Sequence, residues 1–153
     1  MKNKTVAALM AAIALCAALT ACGSDSGETS AKISGAPAET AVDTSAKVDE
    51  LRANAKADAA EATADQIQEA VGFLQDNVYS YFSDSGAMVS TIYYGAFLEA
   101  CYNGTGNDYE QVGLQAQKTV ESVYRGEKHT SDSTTQENLK ALRTMVEALP
   151  DAR

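Results

Sequence analysis

The sequence predicts an all-α fold: a small bundle of four antiparallel helices, or five if the first divides, after a disordered N-terminal tether. Three observations carry this. Beyond about residue 47, apolar residues recur at alternating steps of three and four, the spacing that lines one face of a helix. No segment alternates apolar and polar residues for long enough to make a strand. The polar connections between the apolar stripes are short, which turns consecutive helices back on one another.

The elements follow in order. The stretch VDELRANAKADAAEATA carries Val48, Leu51, Ala55, Ala59 and Ala62 on one face, with Asp49 and Glu50 placed for a first turn. The following DQIQEAVGFLQDNVYSYF places Ile67, Val71, Leu74, Val78 and Tyr81 on one face. Residues 47–82 therefore read either as one rod or as two helices, because Thr63 and Gln66 have capping-box spacing. SDSG at 83–86 offers Asp84 or Ser85 as the cap of the next helix, whose stripe is Val89, Ile92, Tyr93, Ala96, Phe97, Ala100 and Cys101. NGTG at 103–106 ends it. Asn107 with Glu110 opens a further helix buried through Val112, Ala116, Val120, Val123 and Tyr124, and Gly126 stops it. Ser133 with Gln136 opens the last, carrying Leu139, Leu142, Val146 and Leu149 up to Pro150. Gly72, Gly95 and Gly113 interrupt helix interiors, where glycine costs about 1 kcal/mol against alanine. Close approach of a neighbouring helix accounts for Gly113; the sequence offers no packing reason for Gly72.

The N-terminus has a different character. Lys2 and Lys4 precede an apolar run of about 13 residues, too short to cross a bilayer, and small residues lead into Leu19-Thr20-Ala21-Cys22. This layout is that of a signal peptide, and its last four residues resemble the lipobox of bacterial lipoproteins. The resemblance covers residues 1–22. It implies that Cys22 receives a diacylglyceryl group, that residues 1–21 are removed, and that Cys22 becomes the new N-terminus. Two acyl chains on one residue give stable membrane anchoring. Gly23, where an Asp would favour inner-membrane retention, leaves open both an outer-membrane destination and a single-membrane cell. Residues 22–46 then form a linker with few apolar side chains to offset chain entropy, reaching roughly 27 Å, and residues 47–153 form the helical domain. The implied localisation is the cell envelope, membrane-anchored, with the domain outside the cytoplasm.

Charge and cysteines narrow the partners. The chain carries a formal net charge of −9, and its leader is cationic, so the remainder is more acidic still. That disfavours nucleic acid and anionic lipid surfaces as ligands. Of three cysteines, one leaves with the leader and one is acylated, so Cys101 has no partner within the chain. It lies on an apolar stripe and reads as core rather than as a nucleophile.

No motif for a cofactor or for nucleophilic catalysis occurs. NGTGNDYE at 103–110 lacks the ligand pattern of a calcium loop, and His129 has no companions for zinc, so no metal is expected. The uneven features are aromatic and acidic. All but one of the mature chain's aromatic residues fall within 73–109, and no Lys or Arg occurs between Lys56 and Lys118, while Asp58, Glu61, Asp65, Glu69, Asp76, Asp84, Glu99, Asp108 and Glu110 do. The resulting expectation is a non-enzymatic module that binds a basic envelope protein, with Tyr79, Tyr93, Tyr94, Tyr102 and Glu99 as contacts. The alternative is a small-ligand binding protein with an aromatic-lined interhelical pocket.

Overall fold

Thr63 divides the first long helical stretch in two. Its backbone is extended, its Oγ1 accepts a hydrogen bond from the Gln66 amide, and the Gln66 side chain accepts one from the Thr63 N–H. This reciprocal cap satisfies two backbone donors at once and starts a new helix at Ala64. The computed structural model describes residues 43–152, and among them the chain forms five helices and no strand: α1 (Thr44–Ala59), α2 (Ala64–Asp76), α3 (Ser85–Cys101), α4 (Asp108–Tyr124) and α5 (Ser133–Ala148). The leader, Cys22 and nearly all of the linker lie outside the described residues.

Local chemistry moves several boundaries from their expected places. α1 begins at Thr44 rather than at 47, because the Asp43 carboxylate accepts from the Ser45 and Ala46 amides. Asp49 and Glu50 consequently fall outside the first turn, and Glu50 pairs with Lys47 at 3.0 Å. α2 stops at Asp76, although the apolar period continues through Val78 and Tyr81. Asn77 ends it by directing both its backbone N–H and its side-chain amide at the Phe73 carbonyl. Val78 and Tyr81 are nevertheless buried: the Tyr81 hydroxyl donates to the Leu74 carbonyl at 2.7 Å, and Arg143 Nε of α5 donates to the Val78 carbonyl at 2.9 Å.

Asp84, rather than Ser85, caps α3, and Asn107 caps α4. For α5 the capping position is Asp132, with Ser133 already helical. The Asp132 carboxylate is taken by the His129 N–H instead, and the Gln136 amide turns back to the Thr130 carbonyl. Gly126 closes α4 at φ 73°, a conformation that disfavours a side chain. Leu149, forced out of the helical region by Pro150, ends α5 in an extended conformation.

α3 is the central element. It packs most extensively on α4 and also on α1 and α2, while α5 covers α4 and α2. α3 and α4 run antiparallel and cross at two glycines. A Cβ on Gly113 would lie 2.5 Å from the Gly95 carbonyl oxygen and 2.6 Å from the Glu99 nitrogen; one on Gly95 would lie 2.9 Å from the Ala116 Cβ. The expected close approach at Gly113 is therefore real, and Gly95 is its counterpart on the facing helix. Around this crossing the core is filled by Val48, Leu51, Val71, Leu74, Ile92, Phe97, Leu98, Val112, Val120, Leu142 and Val146, among others. Each such side chain contributes about 1.5–3 kcal/mol through removal of apolar surface from water.

Two glutamates on α4 give the fold opposite responses to pH. Glu110, 9 % exposed, accepts from the Gly104 and Gly106 amides and from Thr105. These donors, led by the Gly104 and Gly106 N–H groups, hold its carboxyl below the usual range. Its stabilisation is complete above the ordinary value of 4.5 and is lost as pH falls through the lower folded value. Glu121 behaves in reverse. Burial pushes its carboxyl up from 4.5 against the pull of Arg52 and Arg125, so its stabilisation is greatest in acid and is lost as pH rises through the raised value. Thermal melting between about pH 3 and pH 7 checks both signs. Glu110→Gln should flatten the loss on the acid side, and Glu121→Gln the decline above pH 4.5; slopes of the opposite sign would contradict these assignments.

Candidate functional site

The aromatic residues expected as contacts do not converge on one surface. Tyr79 is 75 % exposed; its hydroxyl donates to Glu147 at 3.1 Å, and the Arg143 guanidinium lies 5.0 Å over its ring, so it belongs to the α5 side of the molecule. Tyr102 stacks on Tyr109 with ring centroids 5.0 Å apart, bracing the turn between α3 and α4. Glu99 lines a cleft between α1 and α3, opposite Arg52 and Lys56 and above a floor of Ala59, Ala60, Ala96 and Ala100. That cleft, of about 450 Å³, has the size of a small-molecule site, yet alanines, charged groups and Asn103 line it and no ring does.

Tyr93 and Tyr94 do come together. Adjacent on α3, they diverge and clasp two different helices. The Tyr93 hydroxyl donates to Asp58 of α1 at 2.5 Å, and that of Tyr94 donates to Glu69 of α2 at 3.0 Å. Their rings meet edge to face at 5.4 Å, with Phe97 stacked beyond Tyr93 and Phe73 4.7 Å from Tyr94. Burial and then the adjacent carboxylate push each phenol's pKa above its ordinary value, so both remain protonated donors at neutral pH. Burial likewise raises the Cys101 thiol above its ordinary value, which disfavours the thiolate a nucleophile requires.

Tyr94 leads to a shallow concavity on this side of the bundle. Between α2 and α3 lies a groove of about 490 Å³, lined by Asp65, Gln68, Glu69, Gly72, Phe73, Asp76 and Tyr94, and by Ala152, which lies against Gly72. Three carboxylates and two rings line it, and among the described residues no cationic side chain does. Helix periodicity explains the arrangement: Asp65, Glu69, Gly72 and Asp76 step by four, three and four along α2 and share a face. Tyr94 then sets the far wall by holding Glu69. Every one of these side chains lies in the acidic, aromatic-rich stretch of the sequence. What sequence reading missed was their convergence, and the signal for it was Gly72, the glycine with no packing reason.

That lack of a packing reason persists in three dimensions. A Cβ built on Gly72 would meet only Ala152, at 3.7 Å, an ordinary van der Waals contact. Gly95 and Gly113 are demanded by neighbouring backbone, whereas the interior packing of the protein makes no such demand at residue 72.

Among the described residues no cluster of His, Cys, Asp or Glu is arranged to hold a metal ion, and no helix is long and apolar enough to cross a membrane. Comparison with protein-family models, with curated proteins and with solved structures finds no match to this chain.

Proposed function

We propose that this chain is a non-enzymatic module of the bacterial cell envelope, held to the membrane through acylated Cys22, that binds a cationic segment of a protein partner in the α2–α3 groove. One observation carries the binding reading: α2 retains glycine at residue 72, at a cost of about 1 kcal/mol, where no internal contact requires it and where it lines an acidic concavity together with the Phe73 and Tyr94 rings. The Asp65 and Glu69 carboxylates favour arginine and lysine, and the Phe73 and Tyr94 rings add faces on which a guanidinium can rest. The lipobox resemblance supplies the anchor, and the sparse, polar linker supplies reach.

A labelled hexa-arginine peptide titrated at low ionic strength tests the groove. Asp65→Asn with Glu69→Gln should weaken binding about tenfold, two contacts of at most ~1 kcal/mol each. Glu127→Gln with Glu137→Gln, the same change in charge on the α4–α5 side, should leave it nearly unchanged. Equal losses from the two pairs would reduce the interaction to general attraction by net charge and overturn the assignment.

A further inference from the structure

The cleft between α1 and α3 brings together opposite charges that do not pair. α1 contributes Arg52 and Lys56, one turn apart, and α3 contributes Glu99 and Asn103 at the same spacing, over the floor of alanines. Arg52 is already engaged: its Nε donates to the Gln117 side chain at 2.8 Å and lies 3.0 Å from the Glu121 carboxylate, which balances its charge. Lys56 and Glu99 are not. They line the same cleft, yet among the described residues neither takes part in an ion pair. Glu99 is half-buried, and its carboxylate accepts a long hydrogen bond, 3.4 Å, from the Asn103 side chain. The position of Lys56 in the last turn of α1 suits the helix dipole, which accounts for a cation there but not for a half-buried carboxylate left without one.

The geometry points to a second binding site, one that shares no lining residue with the α2–α3 groove: the α1–α3 cleft takes a zwitterionic α-amino acid with an aliphatic side chain. The ligand carboxylate meets Lys56 beside Arg52, its ammonium meets Glu99, and its side chain lies on the alanine floor. Each feature selects. A carboxylate without an ammonium leaves Glu99 unpaired, and an amine without a carboxylate leaves Lys56 so. Methyl groups underneath offer apolar contact without demanding a hydrogen bond. The volume, about 450 Å³, falls within the roughly 300–1,000 Å³ of small-molecule clefts.

The test titrates the full acylated protein, in uncharged detergent micelles, with L-leucine and with two isosteres that each lack one of its charges, isocaproate and isoamylamine. Binding is read from the NMR shifts of the Ala60 and Asn103 backbone amides. Leucine should bind about fivefold more tightly than either isostere, the reach of one partly exposed charge pair. Glu99→Gln keeps the side chain's shape and its bond to Asn103; it should weaken leucine and isoamylamine by about that factor and leave isocaproate unchanged. Lys56→Met should weaken leucine and isocaproate and leave isoamylamine unchanged. Lys140→Met, the same loss of charge on α5, should alter none of them, and thermal melting checks that each variant remains folded. An isostere binding as well as leucine, or no shift at either amide up to tens of millimolar leucine, overturns the site. So does a loss common to all three ligands in Glu99→Gln, or a loss from Lys140→Met equal to that from Lys56→Met.

Discussion

Gly113→Ala should destabilise the bundle by about 3 kcal/mol, the upper part of the range for forcing extra volume into a packed interior. For a domain of this size that lowers the melting temperature by roughly 15 °C. The added methyl would lie 2.5 Å from the Gly95 oxygen and 2.6 Å from the Glu99 nitrogen, both of them backbone atoms. No side chain can rotate out of the way, so α3 and α4 must separate, and with them the most extensive interface in the molecule. Gly72→Ala is the internal control. Its new Cβ meets only the Ala152 methyl at 3.7 Å, so improved helix propensity dominates and the fold gains up to about 1 kcal/mol. Urea unfolding of the two variants beside the parent separates the cases. A neutral Gly113→Ala would mean that the helices do not cross where the structure places them.

Tyr81→Ala should be at least as damaging, at about 4 kcal/mol, the range for removing a large buried ring. The residue is 1 % exposed although it lies outside any helix, in the turns of residues 77–82 that join α2 to α3. Tyr81→Phe separates ring from hydroxyl. It retains the packing but deprives the Leu74 carbonyl of its donor, and should cost about 1.5 kcal/mol. Burial also pushes the Tyr81 pKa above its ordinary value, so the parent protein keeps this hydrogen bond into strongly alkaline solution. Equal losses for the two variants would show that the ring contributes little and that the connection is not part of the core.

These predictions mark what the sequence could and could not disclose. Helix starts governed by one short polar side chain were readable as candidates: local spacing offered Thr63 with Gln66, Asp84 beside Ser85, and Asn107, leaving the split at Thr63 and the choice of Asp84 open, and Pro150 needed only its own geometry. The end of α2 was not, because the apolar period runs on through Val78 and Tyr81 while the chain has left the helix. The Val78 carbonyl is met by Arg143, far along the chain. Glu110 sits where a capping box would place it, yet the amides of Gly104 and Gly106 offered a better set of donors. The same distinction applies to the candidate site. An excess of acidic and aromatic residues is a property of composition and was visible at once. That Tyr94 meets Glu69 and Phe73, that Tyr79 and Tyr102 lie elsewhere, and that Gln75 clamps residues 149–152 are facts of tertiary contact that no local pattern encodes. Glycine was the useful residue throughout. Gly113 gave its reason in advance, and Gly72, which had none, marked the groove.

The central claim is that the α2–α3 groove receives a cationic segment of another envelope protein. The most direct measurement places a photocrosslinking side chain at Gln68, on the exposed lip of the groove, and another at Lys140, exposed on α5, in cells producing the full chain. The captured peptides are then sequenced. The account predicts an arginine- or lysine-rich segment of one protein crosslinked from Gln68 and not from Lys140. The same captured material at both positions, or a segment from Gln68 with no cationic residues, would contradict it.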